Sequence, residues 1–206
     1  LNIQCTLDKP YDSEFEAKIT NKTNGLLGPG ASYSINKRNA FRGAETLTFG
    51  VNASYEWQTG ANMQGDETGI NSWELGGNIN LSYPRFVFFG NLWRKLNRKI
   101  LASTLFKADV KWLNRAGYYG SASVGARVKW KLQKGENILH EVTPIHLEYN
   151  YLLGTSERFE QLMSENPALY ESLRDKLVPS IEYGFTWTSP KVQKHQGRIS
   201  LFTKQA

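Results

Sequence analysis

The chain has 206 residues, a formal net charge of +6, a sequence pI near 9.3 and a mean hydropathy of −0.49. No apolar run approaches the ~18 residues of a membrane helix, so a helical membrane bundle is excluded. The single cysteine, Cys5, excludes an internal disulfide. The low mean hydropathy does not exclude a membrane barrel, because half of each barrel strand is polar. The basic residues are spread along the chain and mixed with acids. No compact basic-aromatic groove emerges, so nucleic acid is not an expected partner.

Taken in chain order, the first residues, "LNIQCTLDK", read as sequence from within a domain. The residues before Cys5 are not small, so no lipidation box is present, and Cys5 reads as a half-buried strand residue. Ser13–Thr23 then places Phe15, Ala17 and Ile19 on one face, the first of a series with period two. Ala31–Phe41 follows with Tyr33, Ile35 and Phe41. Thr46–Thr59 is the cleanest case: Leu47, Phe49, Val51, Ala53, Tyr55 and Trp57 alternate with polar or small residues. Asn71–Tyr83, Ile100–Asn114, Tyr119–Gln133, Pro144–Leu153 and Pro179–Ser189 repeat the pattern, and a ninth run begins at Gly197. The joints "NGLLGPG", "RGAE", "TGANMQGDETG", "QKGEN" and "SPKVQKHQG" carry turn residues.

One segment differs. Ser156–Leu177 has Phe159, Leu162, Met163, Leu169 and Leu173 at helical spacing. Ser156 is placed to cap its start, and Asn166–Pro167 is a second cap followed by proline at the first helical position.

A tilted strand needs about 9–11 residues to cross a bilayer, and these runs are that long or longer. If the strands alternate in direction, Trp57, Trp73 and Trp112 fall at one rim, and Trp130 and Trp187 at the other. That is the placement of an aromatic girdle. The opposite face carries Asn52, Glu56, Asn78, Lys107, Asp109, Lys111, Arg127, Lys129 and Glu148, which suits a wet lumen. The same row would also suit the solvated face of a soluble antiparallel sheet. The expected fold is all-β: an antiparallel transmembrane β-barrel, of which this chain supplies about nine strands, with a short helical insertion in one loop.

The stretch "KRNAFRGAE" (Lys37–Glu45), with "LSYPRF", "HEVTPIHLEYNYL", "ENPALYESLRDKLVPSIEYGFTWTS" and "QGRISL", resembles the barrel of the outer-membrane assembly factors. These are the BamA/TamA surface-antigen type, and the likeness is greatest to the Bacteroidetes TamL/BamA-like variant. The family-like turn residues are Arg42, Gly43 and Glu45, with Gly197 and Arg198 later, where Gln196 stands in place of the usual Asp. The resemblance implies that residues 1–10 end a periplasmic POTRA-like domain and that 11–206 begin the barrel. It also implies location in the outer membrane of a Gram-negative (diderm) bacterium, and insertion of outer-membrane proteins without covalent chemistry. A weak lateral seam would open along the first strand, at Ser13, Phe15, Ala17, Ile19, Asn21 and Thr23. Outer-membrane lipid, unfolded outer-membrane protein clients, and periplasmic or inner-membrane accessory proteins would be the partners. No cofactor, metal or catalytic residue is implied. The same likeness puts Gly60–Ile70 and Ser156–Leu177 outside. The turns at Arg42–Glu45, Pro84–Lys99 (with the basic "RKLNRK") and Lys134–Thr143 would then face the periplasm.

Three rivals are a passive porin, a barrel hydrolase and a soluble β-sandwich. For the hydrolase, His146 shares a face with Glu148 and could form an acid–base pair, more readily than His140 or His195. No G-x-S-x-G or H-E-x-x-H pattern accompanies it.

Overall fold

The computed structural model describes residues 9–21, 26–58, 71–87, 100–189 and 198–205. Nine strands form one sheet: β1 (Tyr11–Asn21), β2 (Leu26–Arg38), β3 (Thr46–Gln58), β4 (Asn71–Tyr83), β5 (Ile100–Arg115), β6 (Tyr119–Lys134), β7 (Ile138–Thr155), β8 (Lys176–Thr188) and β9 (Arg198–Gln205). Two helices, α1 (Glu157–Glu165) and α2 (Pro167–Leu173), lie between β7 and β8. Each strand pairs antiparallel with its sequence neighbours, so the topology is an uninterrupted meander with β1 and β9 at its two edges. Among the described residues no helix is long and apolar enough to cross a membrane, which says nothing about strands.

The register aligns the apolar residues of neighbouring strands. Tyr33 stands opposite Val51, Phe49 opposite Ile79, Leu81 opposite Phe106, and Val110 opposite Val124. With side chains alternating along each strand, one face of the sheet becomes apolar and the other polar.

The turn-like "LLGPG" is not a turn. Leu26–Gly30 belongs to β2, and Phe41, expected within that strand, lies in the turn after it. Glycine at position 28 serves a close approach: a Cβ there would run into the Tyr55 carbonyl of β3. Gly50 lies directly opposite Asn78, and Gly76 opposite Asn52, so each amide side chain lies over a bare backbone. The space that a methyl group would fill is already taken.

β7 begins at Ile138, not Pro144, because it contains a bulge. Between Thr143 and His146 it holds one residue more than both β6 and β8. The extra residue reverses the alternation. Val142 faces the same way as Trp130, while beyond the bulge Ile145 and Leu147 take that face. Pro144 at this point has no N–H to offer the ladder.

The helical insertion is two short helices. Ser156 Oγ accepts from the Phe159 N–H at 3.3 Å, and Asn166 Oδ1 accepts from the Leu169 N–H at 3.4 Å. Phe159 packs on Tyr118 and Tyr119, with ring centroids 5.8 and 5.2 Å away, and Ser156 Oγ donates to the Gly117 carbonyl. This bolts α1 to the β5–β6 turn.

Replacing Gly28 by Ala is expected to lower stability by about 1–3 kcal/mol, the usual cost of overpacking against fixed backbone. Gly77→Ala should be nearly neutral, because its added methyl would meet Val110 Cγ2 at an ordinary 3.6 Å. Urea unfolding of both variants in detergent checks this, and equal losses would contradict it.

Candidate functional site: an apolar face, a polar face and two sheet edges

The burial pattern is inverted relative to a water-soluble domain. Among the described residues Phe159 is the one buried apolar side chain, whereas Glu45, Glu56, Ser72, Thr104, Thr143, His146 and Ser180 are buried. Phe15, Val51, Ile79, Ile145, Ile181 and Leu201 are exposed, with Ile19 reaching 80%. Leu101 and Phe202 depart from the pattern, as exposed apolar residues on the polar face.

Ion pairs lie across the polar face. Lys111 Nζ is 3.1 Å from Glu74, and Lys107 Nζ is 3.3 Å from Asp109. Glu141 takes both Lys129 and Lys131, at 3.2 and 3.3 Å. Beside Asp109, Gly125 leaves room for the carboxylate.

His146 is placed by the bulge into the least exposed part of this face. Its partners are on β6 and β8: Arg127 Nη2 is 3.1 Å from Nε2, while Ser180 Oγ and Glu182 Oε1 are 3.0 and 3.3 Å from Nδ1. Its acidic partner is thus Glu182, not Glu148. A guanidinium can only donate, so Nε2 accepts and the proton sits on Nδ1. That proton points at Ser180 and Glu182 together. A nucleophilic triad needs hydroxyl and carboxylate on opposite ring nitrogens, with a lone pair facing the hydroxyl. His146 has neither feature, so this arrangement ties three strands together and does not activate Ser180. A groove of about 460 Å³ opens beside it between β7 and β8, where Pro144 and Pro179 withhold N–H groups. Among the described residues no group of three His, Cys, Asp or Glu side chains converges as a metal site would require.

The five tryptophans among the described residues lie near strand ends. Trp73 and Trp112 are neighbours, with ring centroids 5.5 Å apart, and Trp57 pairs with Asn71 at the same rim. Trp130 and Trp187 lie at the other rim, opposite Val142 and Ile138 of β7.

The turn after β2 is built around a carboxylate. Glu45 is 3% exposed. Its Oε2 accepts from the Gly43 N–H at 2.8 Å, and its Oε1 is 3.4 Å from Arg85. A Cβ at Gly43 would collide with that carboxylate. Asn39, Arg42 and Ala44 all have positive φ, at 53°, 66° and 63°. Such conformations are costly for residues other than glycine and persist only when held. Asn39 Oδ1, accepting from the Ala44 N–H at 3.0 Å, and Glu45 do the holding. The glutamate's own backbone N–H, then those of Gly43 and Phe41 with the Arg85 charge between them in weight, hold its carboxyl below the ordinary value, against the opposing effect of burial.

Of the proposed seam residues, Ser13, Phe15, Ala17 and Ile19 lie in β1 and pair with Ile35, Tyr33, Ala31 and Pro29. Asn21 ends that strand, and Thr23 lies outside the described residues. On the other side of β1 no strand is paired among the described residues. Gly197 is also outside them, and Arg198 opens β9 opposite Thr188. Residues 1–8, the loop 60–70, the basic 94–99 and His195 are outside them as well. Sequence reading missed Ser180, Glu182 and Thr104, whose partners are distant along the chain. No family profile, curated protein or solved structure matches this chain.

The lowered carboxyl of Glu45 fixes a sign. Its stabilisation of the turn is complete above the unfolded value of about 4.3 and is lost as pH falls through the lower folded value. The Gly43 amide resonance should titrate with a midpoint below that of a free glutamate, and Glu45→Gln should abolish the titration. A midpoint at or above the free value would contradict the geometry.

Proposed function

We propose that this chain is part of an outer-membrane β-barrel that inserts or assembles other outer-membrane proteins, in a diderm bacterium. The observation that carries the membrane part is the exposed apolar face. Leaving a side chain of Leu or Phe size in water forfeits about 1.5–3 kcal/mol. A domain holds a net stability of only about 5–15 kcal/mol, so a face of this extent needs an apolar neighbour. Strand length fits that neighbour. β3 has 13 residues. At about 3.3 Å per residue and a tilt near 45°, such a strand spans the ~30 Å hydrocarbon core. In lipid every backbone group needs a partner, so the strands would cross within a closed barrel.

The assembly part is supported by β1 and by the motif resemblance. Among the described residues no strand pairs with the outer edge of β1, and most of its side chains are polar: Glu14, Glu16, Lys18 and Thr20 alternate with Phe15, Ala17 and Ile19. An edge of this kind pairs with an incoming strand by β-augmentation. No covalent step is assigned to the domain. The partners are outer-membrane lipid, unfolded client strands, and accessory proteins on the periplasmic side.

Photo-cross-linking tests this reading in cells. A photoreactive residue at Ser13 or Ala17 should capture unfolded outer-membrane proteins, while the same residue at Ala108 in the middle of the sheet should not. Steady ion conduction by the purified protein, with no capture at β1, would favour the passive porin and sink the assembly reading.

A further inference from the structure

Among the described residues the apolar face is bare almost everywhere, but it is covered at one place. Thr104 stands on that face of β5, between Ala102 and Phe106, opposite Tyr83 of β4 and Trp130 of β6. It is 0% exposed. The cover is the chain just after β4. Instead of turning tightly at the rim, residues 84–87 fold outward over the apolar side chains.

The contact is specific. Thr104 Oγ1 accepts from the Val87 N–H at 2.9 Å and donates to the Arg85 carbonyl at 3.0 Å. One hydroxyl thus does the work of a neighbouring strand for both backbone groups. Water would satisfy such groups at no cost, whereas in an apolar surrounding each unsatisfied group costs several kcal/mol. Phe86 lies on Trp130, with ring centroids 5.0 Å apart. Arg85 does not follow it inward: its side chain is 62% exposed, near the Tyr83 ring and Glu45.

The charge at this rim has a sign. Within residues 38–45, 84–87 and 134–137, Arg38, Arg42, Arg85 and Lys134 stand against Glu45 and Glu136. At the opposite rim, residues 156–175 hold five carboxylates against two arginines.

We infer that Pro84–Val87 is an interfacial strap, pinned by Thr104 and Trp130, that seats Arg85 among the anionic headgroups of the lipid surrounding this rim. Aromatic rings with a cation at their outer edge are the side chains that settle at a headgroup boundary. The inference rests on the membrane reading above, and its test separates the two.

The test uses the full chain, with Cys5→Ser, refolded into vesicles of phosphatidylcholine and phosphatidylglycerol. Single cysteines at Val87, Ile79 and Glu136 carry an environment-sensitive fluorophore. Ile79 reports the middle of the apolar face, and Glu136 a turn at the same rim. Lipids spin-labelled near the headgroup should quench Val87, deeply labelled lipids should quench Ile79, and aqueous iodide should quench Glu136. If Ile79 is quenched by lipid but Val87 by iodide, the strap is overturned and the membrane reading stands. If lipid quenches neither, both fall. Headgroup preference is read by comparing spin-labelled phosphatidylglycerol with phosphatidylcholine at Val87. The anionic lipid should be favoured by up to about fivefold, the worth of one cation at such a surface. Arg85→Gln should lose that preference and Arg85→Lys should keep it. Equal loss in both would mean that Arg85 acts only through Glu45, overturning the headgroup contact.

Discussion

A single-layer sheet has no core of its own. Its stability depends on what meets each of its two faces, and here the two faces differ in kind. On one, lysines and carboxylates pair across β4–β5 and β6–β7, and His146 links three strands. On the other, aromatic and branched side chains stand in register from β1 to β9, and among the described residues only the strap at Thr104 lies over them. Ionic groups keep partners and water on the first face, while the second face is at its lowest free energy against hydrocarbon. Every other feature follows from keeping those faces apart along strands of 8 to 18 residues.

Local devices keep that separation. Glycines opposite Asn52, Asn78 and Asp109 let long polar side chains lie along the sheet. The bulge in β7 restores the alternation where the sequence "HEVTPIHLE" would otherwise put a glutamate on the apolar side. The carboxylate turn at Glu45 holds three residues in left-handed conformations, and through Arg85 it touches the base of the strap. Turn, strap and Trp130 thus form one assembly at a single rim. The helices, held by Phe159 on the tyrosines, occupy the other rim.

Much of the sheet was legible in the sequence because period-two alternation is local. β4 has the limits that its alternation predicts, and β3 and β6 come within a residue of theirs. The signal failed where a long-range contact overrode local chemistry. "LLGPG" has turn residues, but Gly28 is required by the Tyr55 backbone from a strand 27 residues later. The bulge hid the first third of β7 because it reverses the alternation read across it. His146 was legible as a polar-face residue, but its acidic partner was not, since Glu182 lies 36 residues away. Thr104 looks unremarkable in sequence, and its role depends on a strap 17 to 19 residues upstream. The Gly43–Glu45 contact is the exception: its partners are two residues apart, so the "RGAE" signal was local.

The central claim is that the apolar face meets lipid, and the most direct measurement is spin-label accessibility along β3. Single labels from Phe49 to Tyr55, in the Cys5→Ser chain reconstituted in vesicles, are challenged with oxygen, which concentrates in lipid, and with a water-soluble nickel chelate. The account predicts opposite responses with period two. Phe49, Val51, Ala53 and Tyr55 should respond to oxygen, and Gly50, Asn52 and Ser54 to nickel. Equal nickel accessibility at all seven positions, or odd positions shielded from both reagents, would contradict it.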